Sequence, residues 1–391
     1  MSIVWLLTSY LTVLSPISAV IHIPIRSSGS LRKNLIEAGQ WDHYRARLVA
    51  GAFPRIQNLE VMNDNFYLAT VHIGTPPQSL EVVPDTGSSD LWIVSTSCWT
   101  DACLGFYSSG YTKHHFSPCN SSTFTNLEKP FRLFYGSGAS SGYLGTDVIK
   151  LDGFEYGNQT FGLANEIDQV FGSQPIDGIM GLAWPKLSSF GALNPVENML
   201  PQLEQPLFSV WMESSESMSS NGSGGQITYG GYDVEHCDSH INWVPLTRKY
   251  YWQFTIEGFE LPSFYMVGET QAISDTGTSW LGVPPKYLST IISVIGGYYN
   301  AYYSMYVINC SVRRTAPDFT IFINGHAYNI PPDEYIVDLS LGDDLCGLTI
   351  FDGSSEELGV DWILGDTFIR SVCNIYDIGN ARIGFAKPIR N

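Results

Sequence analysis

The sequence has few charged residues, and basic residues are the scarcer kind. Only 15% of its 391 residues are charged, with 20 Lys and Arg against 38 Asp and Glu, for a formal net charge of −18. A surface of that sign repels phosphate groups, so we expect neither nucleic acid nor an anionic membrane as a partner. The low charge content, with 37 Gly and 44% hydrophobic residues, favours a β-rich globular protein over a helical or disordered one.

Motifs for metal binding and long membrane spans are also missing. The sequence contains no CxxC pair and no HExxH, so it predicts no metal site and no cofactor. Residues 1–19 are typical of a secretory signal peptide with Ala19 at the cleavage site, although they include no Lys or Arg. The alternative is a buried N-terminal strand or helix. No other stretch is apolar over a sufficient length, so we predict no membrane span after signal removal.

Seven cysteines and four N-glycosylation sequons favour an oxidising, secretory compartment. The odd number leaves one cysteine without an intramolecular partner. The sequons predict glycosylation at Asn120, Asn158, Asn221 and Asn309. We therefore expect a glycoprotein of the secretory pathway, either secreted or lysosomal.

Charge is unevenly spread along the chain. Residues 20–55 carry six Lys and Arg against two acids, a net of +4, whereas residues 56–391 hold 14 basic and 36 acidic residues, a net of −22. We expect the basic segment to bind the acidic body. Within it, Leu31, Leu35 and Ile36 predict one face of a helix that begins after Ser30 and ends before Gly39.

An internal repeat organises the rest of the chain. "VVPDTGSSDLW" at 82–92 recurs as "AISDTGTSWLG" at 272–282. "IDGIMGLAW" follows the first copy, and "DWILGDTF" follows the second at a similar distance. Short strand-like runs broken by Gly, Pro and Asn surround both copies. A duplicated β-rich lobe is the economical explanation.

The repeat predicts a pair of facing carboxylates. A single Asp-Thr-Gly is compatible with an ordinary turn, but duplication would bring Asp85 and Asp275 together about an approximate two-fold axis. Two close carboxylates cannot both ionise cheaply, so we expect one pKa to rise and the other to fall, with one proton shared by the pair. One acid and one base beside a water molecule suit amide hydrolysis. Neighbouring hydroxyls and glycines are expected to hold the carboxylates, namely Thr86, Gly87, Ser88, Thr276, Gly277 and Thr278.

From about residue 20 to the C-terminus, the sequence resembles the pepsin family of aspartic endopeptidases, and nematode-type cathepsin D-like members most closely. The resemblance implies an all-β, bilobal fold of two lobes related by a pseudo-two-fold axis, with a few short helices. The implied organisation is a signal peptide (1–19), a propeptide (20–55), an N-terminal lobe with a flap (56–235) and a C-terminal lobe (236–391).

The resemblance also assigns roles to individual residues. Asp85 and Asp275 match the catalytic aspartates, and Asp366 matches a further carboxylate found in acid-working members. In "FYGSG", Tyr135 matches the flap tyrosine, which Trp92 is expected to hydrogen-bond. Substrate contacts are further implied for Gly87, Gly136, Ser137, Gly277 and Thr278. Four apolar residues match the wall of the main pocket but are equally compatible with plain core, namely Val170, Phe171, Ile176 and Ile179.

The resemblance implies three disulfides. It pairs Cys98 with Cys103 and Cys310 with Cys346, and places Cys237 and Cys373 on neighbouring strands where they can pair, leaving Cys119 free. The family's short cysteine loop before the second motif is absent, as is the proline-rich loop of cathepsin D, which leaves a strictly lysosomal role open.

These features predict an acid-acting aspartic endopeptidase made as a zymogen. It would act as a monomer on protein and peptide substrates, prefer bulky apolar residues at the scissile bond, and be inhibited by its own propeptide. The alternative is a catalytically inactive homologue that binds peptide or protein in the cleft. Pro84, directly before Asp85, is the one departure beside the motif. We expect it to be tolerated because the strand ends there.

The family's propeptide places a lysine over the catalytic pair, and this sequence departs from that pattern. The last lysine before the body is Lys33. Arg45, Arg47 or Arg55 could take its place, and the sequence does not choose among them.

Overall fold

The computed structural model describes residues 19–50, 64–106, 111–136, 138–215, 223–353 and 359–389, with only the backbone for residues 47–50. The predicted signal peptide before Ala19, and also Arg55, Ser137, Asn221 and the side chain of Arg47, lie outside the described residues.

The chain is built mainly of strands. The strands are β1 Ile21–Ser27, β2 Tyr67–Ile73, β3 Gln78–Asp85, β4 Leu91–Val94, β5 Thr125–Tyr135, β6 Gly138–Leu151, β7 Phe154–Ile167, β8 Gly178–Gly181, β9 Leu207–Met212, β10 Ser223–Tyr229, β11 Cys237–Pro245, β12 Arg248–Lys249, β13 Trp252–Leu261, β14 Phe264–Ser274, β15 Leu281–Val283, β16 Tyr298–Asn300, β17 Met305–Asn309, β18 Phe319–Ile323, β19 His326–Ile330, β20 Ile336–Val337, β21 Leu345–Leu348, β22 Ile350–Asp352, β23 Trp362–Leu364, β24 Cys373–Asp377 and β25 Arg382–Pro388.

Helices are few and short, as predicted. They are α1 Leu31–Glu37, α2 Trp41–Ala50, α3 Asp101–Leu104, α4 Gln169–Ser173, α5 Pro195–Met199, α6 Pro285–Ile295, α7 Pro332–Tyr335 and α8 Asp366–Ile369. In α1 the predicted start is confirmed, because Ser30 caps the helix by accepting from the backbone N–H of Lys33. None of the helices in the described ranges has the length and apolar character that crossing a bilayer requires.

Three sheets organise the strands. The largest has 13 strands in the order β11-β25-β24-β9-β10-β1-β2-β3-β8-β4-β7-β6-β5, and it draws on both halves of the sequence. An eight-stranded sheet runs β19-β18-β13-β14-β23-β15-β22, with β12 on β13, and a four-stranded sheet runs β16-β17-β21-β20. The predicted all-β fold is confirmed. The lobe boundary at 235/236 stays a prediction.

The two sequence repeats adopt the same strand arrangement. In the first, β3 pairs in parallel with β8, and Asp85 lies opposite Gly181. In the second, β14 pairs in parallel with β23, and Ser274 lies opposite Leu364. The strand after each motif, β4 or β15, then pairs antiparallel with β8 or β23. Each motif therefore leaves its sheet at the same kind of strand end, which positions both carboxylates alike.

Pro84 lies inside β3, opposite Met180 of β8. Antiparallel pairing between β2 and β3 reaches only as far as Val82. Pro84 is therefore beyond that ladder, where its missing N–H removes no bond from the β2 side. Its carbonyl oxygen accepts a hydrogen bond from the Thr276 hydroxyl at 2.6 Å, so the residue still contributes to the junction between the repeats.

Candidate active site

The two Asp-Thr-Gly turns are joined by reciprocal hydrogen bonds between their threonines. The backbone N–H of Thr86 donates to Oγ1 of Thr276, and the N–H of Thr276 donates to Oγ1 of Thr86, both at 3.0 Å. Each hydroxyl then donates to a backbone carbonyl of the opposite strand, at Ser274 or Pro84. Both threonines are buried. This symmetric junction holds the ends of β3 and β14 together.

The two aspartates have matching sets of donors. Each carboxylate accepts from the backbone N–H two residues later and from the hydroxyl three residues later. The donors to Asp85 are Gly87 (2.8 Å) and Ser88 (2.5 Å), and those to Asp275 are Gly277 (2.9 Å) and Thr278 (2.7 Å). The carboxyl groups are therefore fixed in orientation before any substrate arrives.

The glycine of each turn allows the carboxylates to meet. A Cβ on Gly87 would lie 2.5 Å from Oδ1 of Asp275, and a Cβ on Gly277 would clash with Oδ1 of Asp85. Any larger residue would push the opposite aspartate away. The structure thus brings Asp85 and Asp275 together across the junction, each against the turn of the other.

Burial and mutual repulsion change the protonation of this pair. Burial and the charge of Asp275 raise the pKa of Asp85 to about 8. Burial also raises the pKa of Asp275, but hydrogen bonds oppose that rise, including one from Asp85. The expected fall of one of the two pKa values is therefore wrong, because burial raises both; their mutual hydrogen bond raises the pKa of Asp85 and lowers that of Asp275, which favours Asp85 as the holder of a shared proton. One acid and one base stand side by side.

Tyr135, the predicted flap tyrosine, packs against an aromatic cluster. Tyr135 ends β5, Gly136 follows in the turn, and the Tyr135 ring lies 6.4 Å from that of Trp92 and 6.2 Å from that of Phe171. The expected hydrogen bond between Trp92 and Tyr135 stays a prediction: burial raises the pKa of the Tyr135 hydroxyl, and the nearby Trp92 and Ser88 side chains oppose that rise. Nε1 of Trp92 and the Tyr135 hydroxyl are buried, and neither has a partner with hydrogen-bond geometry in the described part of the chain. The tilted ring contact holds the residues side by side instead.

The four predicted wall residues belong to one apolar cluster beside the flap. Phe171, Ile176 and Ile179 are buried with Trp92, whereas Val170 is half-buried at the edge of the cluster. The first three therefore serve as core in this structure, and they also back the surface on which the Tyr135 ring rests. Their role as pocket wall stays a prediction.

Asp366 is a third buried carboxyl near the pair. It begins α8, is 1% exposed, and its Oδ1 has no hydrogen-bond partner in the described residues. Arg370 lies one turn later, but its guanidinium is held by Glu334 at 2.5 Å. Burial, with the charges of Asp275 and Asp85, raises the pKa of Asp366 well above its usual range despite Arg370.

Sequence reasoning missed two residues with perturbed ionisation, one of them close to the aspartates. Burial and the two aspartates raise the pKa of Tyr251 to about 12. Burial lowers the pKa of Lys113 to about 7. Both lie outside the repeated motifs, and nothing in their sequence neighbourhood indicates burial.

Three disulfides are present, joining Cys98 to Cys103, Cys237 to Cys373, and Cys310 to Cys346, and Cys119 is free and exposed. The expectation that Cys237 and Cys373 lie on neighbouring strands is wrong, because β25 separates β11 from β24. Cys237 pairs with Pro388, the last residue of β25, so the disulfide lies near the end of that strand.

The remaining predicted sites are on the surface. Asn120, Asn158 and Asn309 are exposed, and their glycosylation stays a prediction. Within the described ranges, no group of three His, Cys, Asp or Glu side chains could hold a metal ion.

Comparison with known proteins identifies relatives along most of the chain. Residues 66–388 match the eukaryotic aspartyl protease family. The chain is 41% identical over 381 residues to Aspartic protease 1 of Caenorhabditis elegans, covering 95% of this chain and 96% of that protein. It is also 41% identical to Aspartic protease 17 of the same organism, over 94% and 95% of the two chains. Pepsin A of Canis lupus familiaris is 35% identical over 98% and 99%.

The raised pKa of Asp366 predicts a pH-dependent stability. A carboxyl whose folded pKa exceeds its unfolded value stabilises the fold below the unfolded pKa, and this contribution is lost as pH rises through the folded pKa. Unfolding free energy should therefore fall between pH 4 and pH 8, by at most about 1.4 kcal/mol per pH unit for each such carboxyl. In Asp366→Asn this fall should be smaller, because one of the three raised carboxyls is gone.

Denaturant unfolding at pH 4, 6 and 8 measures this effect. Asp152→Asn, at an exposed position, is the matched control and should follow the wild type. An unchanged pH dependence in Asp366→Asn would show that Asp366 does not carry a raised pKa.

Proposed function

The chain belongs to the eukaryotic aspartyl protease family and is an aspartic-type endopeptidase, and from this we propose that Asp85 and Asp275 hydrolyse peptide bonds at acid pH. The observation that carries the proposal is the pair of buried carboxyls held against each other by matching donors; burial raises both pKa values, that of Asp85 to about 8, which favours a shared proton. We further propose a preference for bulky apolar residues at the scissile bond and synthesis as a zymogen.

The geometry supports a general acid–base mechanism. Asp275, ionised, takes a proton from a water molecule as its oxygen attacks the peptide carbonyl carbon. Asp85, protonated, gives its proton to the carbonyl oxygen, which yields a neutral tetrahedral diol. Proton transfer to the leaving nitrogen then breaks the C–N bond. The mechanism needs the singly protonated pair, so activity should fall in strong acid as Asp275 takes up a proton.

The alternative function is an inactive homologue that only binds peptide in the cleft. Its one supporting feature is Pro84, directly before Asp85. The junction is nevertheless intact, because the Pro84 carbonyl accepts from Thr276 and the Asp85 donors are in place. These contacts favour the enzyme.

The substrate preference follows from the apolar cluster near the flap. Phe171, Ile176 and Ile179 present no charge, and Tyr135 packs against this cluster with its ring 6.2 Å from that of Phe171. A bulky apolar side chain placed against half-buried Val170 would gain burial there, at about 25 cal/mol per Å² of apolar area.

The zymogen proposal is supported by the placement of residues 19–50. Strand β1 lies between β10 and β2, so this segment cannot leave without opening the largest sheet. Next to the second motif, the Arg32 guanidinium lies over the rings of Trp41 (4.9 Å) and Trp280 (5.6 Å). Trp41 also donates through Nε1 to the carbonyl of Tyr302 at 3.3 Å. The segment is thus anchored to the body in two places: by strand β1 in the largest sheet, and by the contacts of Arg32 and Trp41 next to the second motif.

Simple charge attraction accounts for little of this docking. Arg26 of the segment forms an ion pair with Glu81 of the body, at 3.4 Å and partly exposed. Lys33 pairs within the segment, with Glu37, instead of capping the aspartates. Arg45 lies over the ring of Tyr302 at 5.0 Å. An arginine in place of the family's lysine stays a prediction, and Arg55 and the side chain of Arg47 lie outside the described residues.

Acid can still release the segment through two carboxylates. Asp64 accepts from the Ser30 hydroxyl (2.6 Å) and the Arg32 backbone N–H (2.9 Å), and Glu81 pairs with Arg26. Protonation removes the charge that makes these bonds strong. Together with the signal peptide, disulfides and sequons, this arrangement supports a monomeric zymogen of the secretory pathway, either secreted or lysosomal.

We predict that Asp85→Asn and Asp275→Asn each abolish cleavage of a denatured globin at pH 3–5 while circular dichroism shows a folded protein, because both variants lose one half of the acid–base pair. A pepstatin-type inhibitor should stop the wild-type reaction. Cleavage by either variant above a small percentage of wild-type activity would overturn the assignment.

We predict that Pro84→Phe changes kcat by less than about tenfold, because the junction bond to Thr276 uses a backbone carbonyl that any residue supplies. The measurement is kcat and KM on one synthetic peptide, with Pro118→Ala, in an exterior turn, as control. A gain of several orders of magnitude would mean that this protein had exchanged catalysis for binding.

We predict that Trp41→Ala raises the activity of the unprocessed chain at pH 6.5 by about tenfold or more, because it removes a buried ring from the docking contact. Arg26→Ala, which removes only a partly exposed ion pair, should have less effect. Initial rates are measured with electrophoresis to exclude processing. Full activity of the unprocessed wild type at neutral pH would defeat the zymogen proposal.

A further inference from the structure

Lys113 is a buried lysine behind the wall of the apolar cluster. The residue is 4% exposed, and Nζ donates to the carbonyl oxygens of Gln174 (2.9 Å) and Ile176 (2.6 Å). These carbonyls belong to the connection from α4 to β8. A buried ammonium costs free energy unless its donors are satisfied, so these two bonds account for its stability in this position.

The far end of the same connection is fixed by Asp177. Its buried carboxylate accepts from the backbone N–H of Glu81 (2.9 Å), the N–H of His114 (2.8 Å) and the Tyr111 hydroxyl (2.9 Å). Its carbonyl accepts from the N–H of Val94. Residue 177 is therefore tied to β3 and β4, whereas residues 174 and 176 are tied by Lys113.

The connection carries the cluster that we assign to substrate. Ile176 is 1% exposed and packs with Trp92, Phe171 and Ile179. The Phe171 ring lies 5.5 Å from that of Trp92 and 6.2 Å from that of Tyr135. Movement of the Ile176 backbone would therefore reach the surface beneath the flap.

The charge on Lys113 is compatible with this position at acid pH. Burial lowers its pKa to about 7, and Asp177 opposes the shift. The Tyr111 ring lies 5.9 Å from Nζ, and His114 sits on the other side of Asp177 at 3.0 Å. Below the lowered pKa the lysine is an ammonium, and its bonds to the two carbonyls are charge-assisted.

We propose that Lys113 is a positioning residue for substrate selection: by holding the carbonyls of Gln174 and Ile176, it fixes the wall formed by Ile176 and Phe171. The inference rests on the proposed function of that cluster. It assigns Lys113 no contact with substrate, and it predicts that discrimination between side chains at the scissile bond depends on the ammonium.

The test compares two peptides that differ only in Leu or Ala at the scissile position. Lys113→Met keeps the apolar stem and removes the donors. Its ratio of kcat/KM for Leu over Ala should fall about tenfold, mainly through a higher KM for the Leu peptide, with kcat within about twofold. Exposed Lys286→Met is the matched control and should keep the wild-type ratio.

Thermal unfolding separates positioning from a merely structural role. Removing the donors loses two hydrogen bonds but also removes a buried charge, so the midpoint temperature of unfolding at acid pH should change little. If Lys113→Met does not fold, Lys113→Gln, which retains one amide donor, replaces it and should lower the ratio by an intermediate amount.

An unchanged Leu/Ala ratio in a folded variant, or an equal loss on both peptides, would overturn the inference and leave the proposed function intact. Failure of the wild type to cleave either peptide at acid pH would instead overturn the proposed function, and the inference with it.

Discussion

The reciprocal bonds between Thr86 and Thr276 are the interaction on which the site depends. They connect two turns that are 190 residues apart in sequence, and each threonine supplies both a donor and an acceptor to the other turn. Each hydroxyl also donates a hydrogen bond to a carbonyl of the opposite strand, so the distance between the two strand ends can vary little. The aspartates, one residue before each threonine, meet as a consequence.

The carboxyls around this junction are kept largely without cations. Arg370, the nearest guanidinium to Asp366, is engaged by Glu334 in a buried ion pair. Burial then dominates the pKa of Asp85, Asp275 and Asp366, and each is raised. Carboxyl groups in such a site stay protonated at pH values at which they would ionise in water. This suits chemistry in acid and lowers the free energy of unfolding at higher pH.

The N-terminal segment contacts the body through aromatic rings more than through the ion pairs that its net charge suggests. Arg32 and Arg45 lie over aromatic rings, and Trp41 packs beside Tyr303. Arginine stacks well on aromatic faces because its planar cation is weakly hydrated. Such contacts depend little on pH. Any acid sensitivity must therefore come from the few carboxylates that accept bonds from the segment, among them Asp64.

The sequence by itself determined the fold class, the duplicated lobe and the pair Asp85 and Asp275, because each follows from a local sequence pattern that recurs along the chain. Tertiary structure decided that Ile176 is buried, where Cys237 lies relative to Cys373, and that the rings of Trp92 and Tyr135 pack together. It alone revealed Lys113 and the Glu334–Arg370 pair. Burial and pKa depend on neighbours tens or hundreds of residues away, and no local pattern contains those neighbours.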